Sequence, residues 1–153
     1  MMNRPSAGGG TDPGPEVRLR VVRMLWAIFL VTVFNFALIG WFARPEPDAA
    51  EAAALPPLLY GLAAAGLASV AASFPVKSAF YRRAAERREP AQIQTGFIIA
   101  IVLCEVAALL GLLGLFTTRS DYAFALFALA ALGEALHFPR REDVLAAYYK
   151  PVG

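Results

Sequence analysis

Four long apolar runs constrain this chain more than any other feature: residues 24–43, 56–74, 93–117 and 122–138. The first reads MLWAIFLVTVFNFALIGWFA, without a charge. About 20 apolar residues in a helix cross the ~30 Å of a bilayer's hydrocarbon. Hydrocarbon gives the backbone nothing to hydrogen-bond to, so lipid-exposed runs this apolar have to be helical. The composition agrees, with 58% hydrophobic and 17% charged residues and a mean hydropathy of +0.54. A soluble domain of 153 residues would scatter its charges over its surface; here they lie between the runs. The expected fold is all-α, an integral membrane bundle of four transmembrane helices.

The segments between the runs set the boundaries. Residues 1–16 are rich in Gly, Pro and Ser and read as a disordered tail. Residues 17–138 make the transmembrane domain, and 139–153 a short, amphipathic cytoplasmic tail with Tyr148, Tyr149 and Lys150. The basic flank of the first run suits a signal peptide. The run is longer than an h-region, however, and Trp41 to Pro45 is a poor cleavage site, so it reads as an uncleaved helix. Trp26 and Trp41 stand near its two ends, where indole rings prefer headgroups. Pro45 and Pro47 close it and lead into an acidic loop with Glu46, Asp48 and Glu51. Pro56 and Pro57 open the second run, and Pro75 is expected to end it at Phe74. Residues 76–91 then read as a basic amphipathic segment lying on the membrane surface.

All but two of the 14 Lys and Arg flank alternate ends of the runs. Arg4, Arg18, Arg20 and Arg23 precede the first, and Lys77, Arg82, Arg83, Arg87 and Arg88 join the second to the third. Arg140, Arg141 and Lys150 follow the fourth; Arg44 and Arg119 are left for the other two loops. The positive-inside rule then predicts that both termini are cytoplasmic. The cluster Lys77, Arg82, Arg83, Arg87 and Arg88 is also a candidate for anionic lipid headgroups.

Glu105 is the chemically suggestive residue. It follows Ile93 by 12 positions, about 18 Å into the bilayer and near its midplane. A charge there costs about 3 kcal/mol or more, so the carboxyl should be protonated, paired or facing a polar interior. Two roles stay open: proton or sodium handling, and an interhelical hydrogen bond. Asn35, mid-span in the first run, is a candidate partner. Glu134 is expected near the cytoplasmic end of the fourth helix, snorkelling to the interface about 12 Å from Glu105 along the membrane normal. His137, three residues on, shares its face and is a candidate pH-sensitive contact.

Small residues four apart, Gly61, Ala65, Ser69 and Ser73, are expected to pack the second helix closely and antiparallel against Cys104, Ala108 and Gly111 of the third. The single cysteine precludes an intramolecular disulfide and reads as a packing residue. Phosphate loops, nucleophile elbows and zinc motifs are absent from the sequence, so no cofactor, metal, nucleic acid or enzymatic activity is expected.

Residues 96–115, GFIIAIVLCEVAALLGLLGL, resemble the carboxylate-bearing helix of rotor-ring proteolipid subunits of F- and V-type ATPases. Glu105, Gly111 and Leu112 match that helix. The resemblance covers one helix in four and implies a proton- or sodium-binding role for Glu105. The whole chain, through Leu103-Cys104-Glu105 and Phe138-Pro139-Arg140-Arg141, also resembles small four-helix bacterial membrane proteins of unassigned function. That likeness implies a topology and a bacterial inner membrane, without an activity. The expected role is a structural or accessory subunit of a membrane complex, partnered by lipids and by other subunits or by self-association. The alternative is a proton- or sodium-handling protein using Glu105.

Overall fold

In the computed structural model, residues 14–43, 57–87, 89–145 and 148 are described. The readings made for the tail before Gly14, for the loop with Glu46, Asp48 and Glu51, for Arg88 and for Tyr149 and Lys150 lie outside these residues. The described chain is helical: α1 (Gly14–Ala43), α2 (Pro57–Arg87), α3 (Ala91–Thr118), a short 3-10 turn (Asp121–Ala123), α4 (Phe124–Leu136) and α5 (Arg141–Leu145). Three helices, α1, α2 and α3, are long and apolar enough to cross a membrane. α4 has 13 residues, or about 20 Å of helix.

The helices alternate in direction. α2 and α3 make the most extensive packing and run antiparallel. A Cβ at Gly96 would meet Phe80, one at Gly66 would meet Ala107, and one at Gly114 would meet Leu59 and Leu62. α4 runs back along α3, from Ala123 beside Gly114 to Gly133 beside Cys104. α1 runs parallel to α3: Val22 clusters with Phe97 and Ile101, and Gly40 faces Leu115. α3 is the central element, because its small residues Gly96, Ala100, Cys104, Ala107, Ala108, Gly111 and Gly114 let three helices approach it.

Two expectations about α2 are corrected. Pro75 does not end the helix, which continues to Arg87. Proline removes one backbone donor, a defect tolerated in membrane helices where neighbours support the backbone. Here Phe80 packs on Gly96, and Ala84 is buried with Leu19, Ile93 and Val144. The segment expected on the membrane surface is thus the last turns of α2. The small stripe is also only half right. The buried residues of the apolar part are Leu59, Leu62, Gly66, Val70 and Ser73. Ser69 is half-buried and donates to the Leu103 carbonyl at 2.7 Å, but Gly61 and Ala65 face outward.

Heights within the bundle follow from α1. With α1 and α3 parallel, Met24 lies level with roughly residue 99 of α3, and Ala43 with residue 118. Glu105 is therefore about 9 Å above the level of Met24 and about 18 Å above Ile93. Ile93 belongs to a separate cluster with Leu19, Ala84 and Val144, beneath the apolar length of α1. That cluster, α5, and the cations Arg20, Arg23, Lys77, Arg82, Arg83, Arg87, Arg140 and Arg141 share one end of the bundle, called here the basic end.

Candidate functional site

A buried polar cluster forms where α2, α3 and α4 meet, toward the basic end. Its hydrogen bonds converge on Ser73. Ser73 is fully buried, and its hydroxyl donates to the Val70 carbonyl at 2.6 Å. His137 Nε2 is 2.7 Å from the same oxygen. A hydroxyl has one proton, and the Val70 carbonyl can only accept. His137 therefore carries hydrogen on Nε2 and donates to Ser73. This direction is the reverse of a serine nucleophile activated by a histidine base. Cys104 Sγ, also buried, lies 3.7 Å from Ser73 Oγ and donates a weak third contact.

His137 caps the C-terminus of α4 and is only 1% exposed. The Phe74 ring covers one face at 4.5 Å between centroids. Lys77 Nζ donates to its carbonyl at 3.5 Å and lies 4.0 Å from the Asp143 carboxylate. These groups border an open cleft of about 490 Å³ with Tyr81 and Arg82 on its wall. The imidazole thus stands between the cleft and the interior.

Glu134 precedes His137 by almost one turn. It does not snorkel: its exposure is 0%, and neither carboxylate oxygen has a hydrogen-bond partner among the described residues. Its backbone carbonyl accepts from Trp26 Nε1 at 2.8 Å, and Trp26 packs edge-on against Phe138. Burial has a traceable cause. After His137 the chain turns under the bundle, with Pro139 buried and Val144 packed on Leu19. Arg141 pairs with Glu16 at 2.7 Å, and Arg18 Nε donates to the Tyr148 hydroxyl at 3.0 Å. Residues 139–145, read as the start of a separate tail, thus form a floor under the bundle.

Glu105 is half-buried, with Oε1 enclosed and without a partner. The expected 12 Å axial gap to Glu134 is gone. Gly133 abuts Cys104, so close that a Cβ on it would lie 2.9 Å from Cys104 Sγ. The residues that follow, Glu134 and Glu105, are offset by only about 3 Å along the axis. Burying a carboxyl group without a hydrogen-bond partner is costly.

The other candidates are not drawn into this cluster. Asn35 is exposed on the outer face of α1. It lies two residues from Val33, which points inward, so it is turned by about 200° from that direction. It is not the partner of Glu105. Arg82, Arg83 and Arg87 are exposed, with Arg82 3.9 Å from Glu86, whereas Lys77 is turned inward to Asp143. Among the described residues no group of three His, Cys, Asp or Glu side chains has the arrangement of a metal site. Ser73, read as a packing residue, and Trp26, read as a headgroup anchor, take part in the site in ways sequence reasoning did not indicate, and Asp143 was not singled out. The available signal for Ser73 was its phase: it is seven residues from Gly66 and on the same face. Comparison of the chain with protein-family models, curated proteins and solved structures gives no match.

Proposed function

We propose that this chain is a proton-handling protein of the bacterial cytoplasmic membrane, in which Glu105 and Glu134 together form the proton-binding site. The observation that carries this reading is Glu134, wholly buried with both carboxylate oxygens unpartnered. A residue needed only for packing at that place would be apolar, since burying a polar group without a bond costs about 1–3 kcal/mol. Its surroundings give access from one side. The cleft at the basic end meets His137, which donates to Ser73, where Cys104 also donates. Beyond Glu105 the next layer of the interior is apolar, built from Val33, Ala108, Phe127 and Ala130. Protons therefore enter and leave from the basic end, and the site is loaded from one side.

In this reading the chain crosses the bilayer four times with both termini in the cytoplasm. The cations gathered at the basic end support that orientation. The fourth crossing is α4 with the 3-10 turn before it, about 25 Å together, a mismatch that local thinning accommodates. The resemblance of residues 96–115 to rotor-ring helices points to the same carboxyl. A structural or accessory role in a larger complex is the second reading, favoured by α1, whose most apolar window is only 11% buried.

A hydrophobic carbodiimide applied to native membranes near neutral pH tests the assignment, with mass spectrometry locating the adduct. Glu105, half-exposed toward lipid, is expected to label, and Glu134 to stay unmodified. Protection by sodium would make the bound species sodium. Failure of Glu105 to react while exposed carboxyls do would remove it from the site.

A further inference from the structure

The outer face of α1 bears a regular seam. Met24, Ile28, Val31, Asn35, Leu38 and Phe42 are all exposed. Their spacings alternate four and three, the heptad pattern of a helix that packs along its length with another. In that pattern Ile28, Asn35 and Phe42 take the a positions, and Met24, Val31 and Leu38 the d positions. The apolar members need no partner, because lipid tails suit them as well as another helix would. Asn35 does need one. It lies about 16 Å along the helix from Met24, close to the middle of the ~30 Å hydrocarbon. An amide there without a hydrogen bond costs several kcal/mol relative to water. Among the described residues it is the only exposed amide side chain in the middle of a span.

We infer that α1 is the interface of a parallel homodimer, in which the Asn35 amides of two copies hydrogen-bond to each other across the two-fold axis. A second copy is the occupant that the chemistry favours. A two-fold interface sets a residue near the axis against itself at the same depth. An amide is both donor and acceptor, so Asn35 is self-complementary. Any other helix would have to bring a polar group to the same level. A single Asn at an a position also fixes register and the two-stranded state.

Cysteine cross-linking in native membranes tests this. Val31→Cys, on the seam, is oxidised mildly beside Leu113→Cys, which is exposed on α3. The wild-type chain, whose Cys104 is buried, is the blank. Val31→Cys is expected to give a disulfide-linked dimer, and Leu113→Cys none. Adding Asn35→Val should lower the yield about three- to tenfold at limiting protein density, the worth of one interhelical hydrogen bond, while Asn35→Gln retains most of it. Absence of a Val31→Cys dimer, an equal yield from Leu113→Cys, or an adduct with a different protein would each overturn the homodimer. Carbodiimide labelling of Glu105 is expected to be the same in Asn35→Val, so the dimer and the proton site fail or stand separately.

Discussion

His137 joins the two halves of the cluster, and its removal has a defined cost. His137→Ala leaves the Ser73 hydroxyl with its bond to Val70 but takes away its second partner and opens space beneath Phe74. Losing a buried hydrogen bond and the packing around it should destabilise the fold by about 1–3 kcal/mol. Unfolding in mixed micelles by increasing denaturing detergent measures this. A variant as stable as wild type would mean that the imidazole is not anchored to Ser73. The sequence named His137 and Glu134 as a pair on one face, and Glu105 as a buried acid. It did not reveal that His137 meets Ser73, or that Gly133 abuts Cys104 and brings Glu134 to nearly the level of Glu105, because that depends on how far each helix slides along its neighbour. An apolar run has no internal mark for its height against its neighbours.

At the scale of elements, close packing decides which glycines matter. A Cβ on Gly66 would lie 2.8 Å from Leu126 Cδ2, whereas one on Gly61 would meet nothing within 4 Å. Gly66→Leu should therefore cost about 1–3 kcal/mol by overpacking, and Gly61→Leu close to nothing. The same unfolding assay separates them, and equal losses would contradict the observed face of α2. The small residues of α3 were legible because three helices crowd around it and every direction needs room. Those of α2 were not, because alanines and glycines surround the helix and leave its phase unmarked. Pro75 misled for a related reason: its local rule holds for an isolated helix, and here the lower turns are held by Phe80 and Ala84 against α1, α3 and α5.

Seen whole, the molecule is unevenly built along its axis. The interior of one half is apolar from Val33 to Leu59 and Leu115, with the buried Thr118 hydroxyl turned back to the Gly114 carbonyl at its end. The other half contains every buried ionisable group discussed here and is floored by α5. Helical class and the three long spans followed from composition and run length alone. The floor did not, because residues 139–145 are too short and too polar to announce that they fold back on Leu19. This asymmetry makes the proton reading directional, with exchange from the basic end alone. The most direct test is infrared difference spectroscopy on the protein in sealed vesicles of known orientation, stepping pH on one side and then the other. The account predicts a protonated carboxylic-acid band at neutral pH that is reduced in Glu134→Gln and again in Glu105→Gln, and that responds to pH at the basic side only. A wild-type spectrum with no such band, or a band that neither substitution alters, would contradict it.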